Sequence, residues 1–242
     1  MSGFRTLLRA LALSASIIGL QAVAQTSVIP SSTANVAPPE TVEEAGDTLP
    51  LAQLAAAHEL FDVARRRRDP VLAIAALRLA AGVESRPIER RPVEVAGGQP
   101  SEKVASLGPP EAETMADYAY QLTGKDPALR RMIETAMTAG GGRGRVSGPG
   151  VTRGRIEARG RHVYFGQDTV FRAGEPAQIL LAGDGDSDLD LLVLDELDNE
   201  ICRRAGPSDR EFCSWTPRWT GPYRIVVLNA GPVWSNFTLR TN

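Results

Sequence analysis

The chain has 242 residues, with 27 lysines and arginines against 29 aspartates and glutamates and a formal net charge of −2. That length admits one large domain or two small ones, and a charge this close to balance argues against nucleic acid as a partner. The basic residues are nearly all arginine, with lysine only at Lys103 and Lys125, which genome composition is enough to explain.

Arg5 and Arg9 form a short basic region, and Ala10 to Val23 is a mostly apolar run ending in Ala22-Val23-Ala24 before Gln25. A basic start, a short apolar stretch and a small-x-small end make a signal peptide over 1–24, cut between Ala24 and Gln25. The run is too short to span a bilayer comfortably, and no later run is long enough. The mature chain is therefore expected to lack a transmembrane segment and to be periplasmic or secreted. Residues 25–49 are rich in Pro, Ser, Thr and Val without a sustained period, which reads as a disordered tether.

Helical spacing begins at Leu51, with Leu54, His58, Phe61 and Ala64 recurring among alanines. Asp69-Pro70 stops one helix and starts the next, Asp69 as its N-cap and Pro70 at its first position. The same device recurs at Asp126-Pro127, after a helix over 111–122 that ends at Gly124. The two helix pairs read as a degenerate repeat or, preferably, as one four-helix cluster filling 50–139. Within it, 84–110 is polar, broken by proline, and expected to be a mobile insert.

Residues 140–160 read as a Gly/Arg-rich linker. With Arg161 it carries Arg143, Arg145, Arg153, Arg155 and Arg159, either a charged hinge or a patch for anionic lipid or polysaccharide. No aromatic residue is interleaved before Tyr164, so stacking on single-stranded nucleic acid is not supported. From 161 to 242, short apolar runs alternate with Gly, Pro, Asp and Asn, the spacing of an antiparallel sandwich. The expected fold class is thus α+β and multidomain: a small helical-hairpin domain followed by an antiparallel β-sandwich of the jelly-roll or immunoglobulin-like kind. Cys202 and Cys213 are the two cysteines, with ten residues between them. In an oxidising compartment they read as a disulfide across a hairpin, the alternative being two buried thiols.

Several motifs in this last third carry a family resemblance. They are Phe171-Arg172-Ala173-Gly174-Glu175-Pro176-Ala177, the acidic turn Gly183–Asp190, Val193-Leu194-Asp195-Glu196 with Asn199, the Trp-x-Pro-x-Trp-x-Gly-Pro-Tyr run 215–223, and Val227-Leu228-Asn229 before a last strand to Asn242. In order and spacing this resembles the bacterial pre-peptidase C-terminal domain, over about residues 160–242. The resemblance implies a non-catalytic β-sandwich associated with folding, secretion or substrate attachment, and some members of that family bind calcium. This chain departs from the pattern in carrying no peptidase domain, so the partner would be another polypeptide or a surface. The helical part resembles no named family.

Asp184, Asp186, Asp188 and Asp190 alternate, so in an extended chain their carboxylates project to one side, the oxygen-rich setting that calcium selects. With the resemblance, Asp186, Asp188 and Asp190 become the candidate calcium ligands, with Asp184 beside them; the plainer reading is a solvated acidic turn. The spacing is not that of an EF-hand, since Leu189 and Asp195 stand where Gly and Glu are required. Trp215, Trp219 and Tyr223 are a candidate ligand face for sugar or peptide, although such residues more often pack a sandwich corner.

Enzyme signatures fail when checked. His58-Glu59-Leu60-Phe61-Asp62 lacks the second histidine of a zinc-protease helix, and Gly144-Arg145-Val146-Ser147-Gly148 lacks the spacing of a nucleophile elbow. The reading is a non-catalytic binding or accessory module of the bacterial envelope. It recognises an envelope protein or surface polymer through its sandwich, with calcium as a candidate cofactor. Two other readings stand beside it: a periplasmic protein–protein adaptor working through the helical hairpins, and a hydrolase of unfamiliar design.

Overall fold

The Asp-Pro pairs start two of four helices in the computed structural model of the chain, which describes residues 34–38, 49–102, 107–139 and 149–242. The helices are α1 (Pro50–Arg67), α2 (Pro70–Ala81), α3 (Ala112–Thr123) and α4 (Pro127–Ala139). Asp69 Oδ1 accepts from the amides of Val71 (2.8 Å) and Leu72 (3.2 Å). Asp126 Oδ1 accepts from Ala128 (2.8 Å) and Leu129 (3.1 Å). Each cap satisfies amides that the first turn leaves without intrahelical partners. Leu51, Phe61, Ile74, Leu77, Met115 and Ile133 meet in one apolar core drawn from all four helices.

The strands are β1 (Arg86–Pro87), β2 (Glu94–Gln99), β3 (Gly150–Ile156), β4 (Ala158–Tyr164), β5 (Val170–Phe171), β6 (Ala177–Gly183), β7 (Leu189–Leu194), β8 (Glu200–Arg204), β9 (Arg210–Trp215), β10 (Gly221–Pro222), β11 (Arg224–Asn229) and β12 (Ser235–Thr241). They form two five-stranded sheets, ordered β1-β3-β12-β6-β9 and β2-β4-β11-β7-β8, with β5 and β10 as a short separate pair. All pairings are antiparallel except β1 with β3. Ile179, Leu181, Leu191, Val193, Ile225, Val227, Phe237 and Leu239 fill the space between the sheets. The α+β class and the sandwich are as expected.

Three boundaries differ from the expectation. The linker of 140–160 ends early, because residues from Gly150 on are strands β3 and β4 inside the sandwich; 140–148 lie outside the described residues. Glycine here is a packing device: a Cβ on Gly154 would stand 2.7 Å from Cζ of Phe237, its partner across the sheet. The arginines are paired accordingly. Arg153 meets Glu111 (3.1 Å), Arg155 meets Glu157 (3.1 Å), Arg161 meets Glu94, and Arg159 donates to the Ala230 carbonyl. Arg143 and Arg145 lie outside the described residues.

The insert 84–110 is likewise structural, since it supplies the edge strands β1 and β2, one to each sheet. Its Arg90 is buried, donating to the Asp168 carbonyl and to the hydroxyls of Thr152 and Thr241.

The helices are not a separate domain either. Every described residue falls in one compact unit, and Leu180, with Phe212 packed beside it, belongs to the helical core. Arg210 on β9 pairs with Asp62 on α1, and Arg240 on β12 pairs with Glu111 at the start of α3. All seven residues of β6 are buried, because its sheet has the partner sheet on one face and helices on the other. Among the described residues no helix is long and apolar enough to cross a membrane.

Candidate recognition site at the sandwich end

Cys202 and Cys213 form a disulfide, with Cα atoms 6.1 Å apart. It joins β8 to β9, the outermost strands of opposite sheets, and so fastens the sandwich along one edge. Ala24 and Gln25, the expected cleavage site, lie outside the described residues.

The acidic turn is held largely by its own chain. Gly185 has φ +92°, which bends the backbone out of the extended geometry that would align alternate carboxylates. Asp184 is buried and accepts from the Ser235 hydroxyl and the Asn236 amide, both at 3.0 Å. Asp209, from the β8–β9 loop, accepts from the Gly185 amide. Asp188 and Asp190 are neighbours: burial first, and then the Asp188 charge, push the Asp190 carboxyl above its ordinary range. Among the described residues no three His, Cys, Asp or Glu side chains converge as metal ligands, so Asp186, Asp188 and Asp190 are not gathered into the expected set.

Trp215 and Tyr223 are interior and do not form a flat ligand face. With Phe171 they make a cluster of edge-on and tilted rings, centroids 5.0–5.7 Å apart. Trp219 is half-buried, its indole N–H donating to Glu196. The three residues close one end of the sandwich, where the β7–β8 turn (195–199) and the β9–β10 loop (216–220) come together.

That end contains a binding arrangement that composition did not reveal, because its occupant comes from the segment expected to be a disordered tether. Asn35 is completely buried there. Its side-chain oxygen accepts from the amides of Arg218 (2.9 Å) and Trp219 (3.0 Å), and its side-chain NH2 donates to the Trp219 carbonyl at 3.0 Å. Its own amide donates to Asp195 Oδ2 (2.9 Å), and its carbonyl accepts from the Tyr223 hydroxyl (2.6 Å). Val36 packs against the sandwich core, and the Ala37 amide donates to the Thr216 carbonyl at 2.7 Å. The Val36 amide also donates to the Ala34 carbonyl (2.8 Å), a three-residue turn with Asn35 at its apex.

The cradle is stiff. Besides Asn35, Asp195 accepts from the amides of Leu197 and Asn199, each at 2.9 Å, and from the Asn199 side chain at 2.9 and 3.2 Å. Burial would push this carboxyl up, but the hydrogen bonds from Asn199, Asn35 and Leu197 outweigh it and hold it below the usual range. Burial pushes the Tyr223 hydroxyl up to about 12, so it stays a neutral donor. The hydrogen-bonding groups of one asparagine residue are thereby all engaged.

No protein-family model matches the chain, and no curated protein does. Among solved structures, Yersinia pseudotuberculosis-derived mitogen is similar at TM-score 0.33 and 18% identity, over 38% of this chain and 82% of that one. The pre-peptidase C-terminal domain of collagenase from Bacillus anthracis gives 0.31 and 14%, over 38% and 87%. A carbohydrate-binding module of Cellvibrio mixtus lichenase 5A, solved with cellotriose, gives 0.25 and 8%, over 38% and 86%. Likeness of this order establishes no family; the sandwich is read from its own strands.

Proposed function

We propose that this protein is an exported, non-catalytic binding or accessory module of the bacterial envelope, and that it recognises a polypeptide through the end of its sandwich. The observation that carries the reading is the Asn35 cradle, where loops of the sandwich enclose a short turn of chain and satisfy the polar groups of its central residue. Export is supported by the Ala10–Val23 run with its Ala24-Gln25 boundary and by a disulfide, which persists in oxidising compartments. An accessory role is supported by the motifs resembling the pre-peptidase C-terminal domain.

Neither histidine is freely exposed, His58 being buried and His162 half-buried, which is in keeping with a non-catalytic role. His58 is 1% exposed under the helices, and His162 sits edge-on to Tyr164 and Phe237. The helical adaptor reading is weaker, because the main apolar core of the helices is buried among themselves and against Leu180 and Phe212, leaving only scattered apolar residues such as Met132 exposed.

The test is affinity capture from an envelope extract with tagged residues 25–242, in calcium and again in chelator. Leu197 is 61% exposed on the turn beside the cradle, and Met132 is 42% exposed on α4. A partner recovered in both conditions, lost on Leu197→Glu and kept on Met132→Glu, is the expected result. A partner recovered only with calcium, and lost on Asp188→Asn with Asp190→Asn, would move recognition to the acidic turn.

A further inference from the structure

The geometry points to an asparagine-reading peptide site that the chain's own residues 34–38 occupy in cis, as a plug that a partner segment of the same chemistry must displace. This rests on the reading that the sandwich end is a recognition surface, and it names what that surface recognises: a tight turn with asparagine at its apex, followed by a small or β-branched apolar residue.

Three observations carry it. First, the cradle groups that bond Asn35 come from residues 195–223, some 160–188 positions from Asn35 in sequence. Each is fixed by bonds other than those to Asn35: Asp195 by Asn199, Tyr223 by its ring cluster, and the 216–220 loop by the Gly174 amide on the Pro217 carbonyl, the Ala173 amide on the Thr220 hydroxyl and the Trp219 indole on Glu196. Second, the contacts are selective. The side-chain NH2 faces the Trp219 carbonyl, and the main-chain amide faces the Asp195 carboxylate. An aspartate in this place would set a carboxylate oxygen against the Trp219 carbonyl beside a second carboxylate. An alanine would leave the Arg218 and Trp219 amides without their acceptor. A site built around a substrate amide rejects analogues that leave its buried partners unpaired.

Third, the occupant is a short piece, with Ala34, Val36 and Ala37 only half-buried and Pro38 exposed. Tethered to its site, such a segment acts at an effective concentration set by its linker. A free peptide therefore competes poorly until the tethered copy is weakened. A partner presenting the same turn on a folded surface meets the same barrier, which makes residues 34–38 a threshold on recognition.

The experiment uses the mature chain, residues 25–242, and a labelled peptide Thr-Ala-Asn-Val-Ala-Pro, the sequence of residues 33–38. By fluorescence polarisation the Asn35→Ala chain should bind this peptide roughly tenfold or more tightly than the wild-type chain, because its tethered competitor has lost the side chain that is read. The same peptide with Asp in place of Asn should bind the variant at least about tenfold more weakly. Tyr223→Phe added to Asn35→Ala should weaken peptide binding several-fold.

A second measurement needs no variant. In the wild-type chain, excess Asn peptide should accelerate hydrogen exchange at the Asn35 and Ala37 amides and leave the amides of β11 unchanged. Equal affinity of wild type and Asn35→Ala, or equal affinity for the Asn and Asp peptides, would overturn the inference. So would exchange at Asn35 that the peptide leaves unmoved, or a dimer that trades residues 34–38 between copies. If these arms fail while Leu197→Glu still abolishes capture from the envelope, the cis plug falls and the recognition surface stands.

Discussion

His58 is buried and neither ring nitrogen makes a well-formed hydrogen bond, although the Pro110 carbonyl lies nearby. Burial, then the charges of Arg240 and Arg210, push it down to about 3, with the Pro110 carbonyl working the other way. Its value in the unfolded chain is 6.5, so below that pH the unfolded state takes up a proton that the folded state refuses. The group therefore supports the fold above pH 6.5 and withdraws up to about 1.4 kcal/mol per pH unit as pH falls toward 3. Glu211 lines the same small cavity between α1 and β9 and has the opposite sign. Burial first, then the Asp190 charge, raise it from 4.5 to about 7. Its protonated form therefore favours the folded state below pH 7, and that contribution is lost as pH rises from 4.5 through 7. The two slopes oppose each other between pH 4.5 and 6.5. Urea unfolding at pH 7.5, 6 and 5 should show Glu211→Gln losing stability on acidification more steeply than wild type, and His58→Leu less steeply. Parallel profiles for all three chains would contradict the assignment. Asp195→Ala should lower stability by about 1–3 kcal/mol, since it strands the buried Asn35 amide and removes the acceptor of the part-buried Leu197 and Asn199 amides. The sequence marked Asp195 and Asn199 only as part of a family pattern, and their bonding was not legible because it closes around a residue 160 positions away.

At the scale of elements, helix starts were readable because a cap is local: Asp69 and Asp126 bond amides two and three residues on. β3 was not, because its glycines and arginines have meaning only across the sheet. Gly154→Ala forces a methyl against the Phe237 ring and should cost about 1–3 kcal/mol, measured as a shift in the urea midpoint. An unchanged midpoint would mean that the ring moves aside freely. The disulfide is the converse case, visible in the sequence because two cysteines admit one intrachain pairing. What the sequence did not show is that it ties the edges of two different sheets. Cys202→Ser with Cys213→Ser should lower stability by roughly 2–3 kcal/mol, with reductant having little further effect on the variant. Full stability in the variant would show that packing of Ile201 and Trp215 alone holds that edge.

At the scale of the whole molecule, the layer of helices and the sandwich share Leu180, Phe212 and the pairs Asp62–Arg210 and Glu111–Arg240. Thermal unfolding followed at the helical band and by tryptophan fluorescence should therefore coincide in one transition, whereas two separated transitions would restore independent domains. Composition misplaced this boundary because proline and glycine mark edge strands and packing gaps as well as linkers, as in 84–110 and 150–160. The same layering leaves the sandwich end, with Leu197 at its rim, as the surface where loops meet the turn at Asn35, while the helices bury their main apolar core against one another and the sheet. The most direct test is site-specific photo-crosslinking in living cells, with the reactive residue at position 197 or at position 132 of the otherwise intact chain. A discrete adduct is expected from position 197 and none from position 132. An adduct from position 132 alone would show that the helices make the contact and that the sandwich end does not.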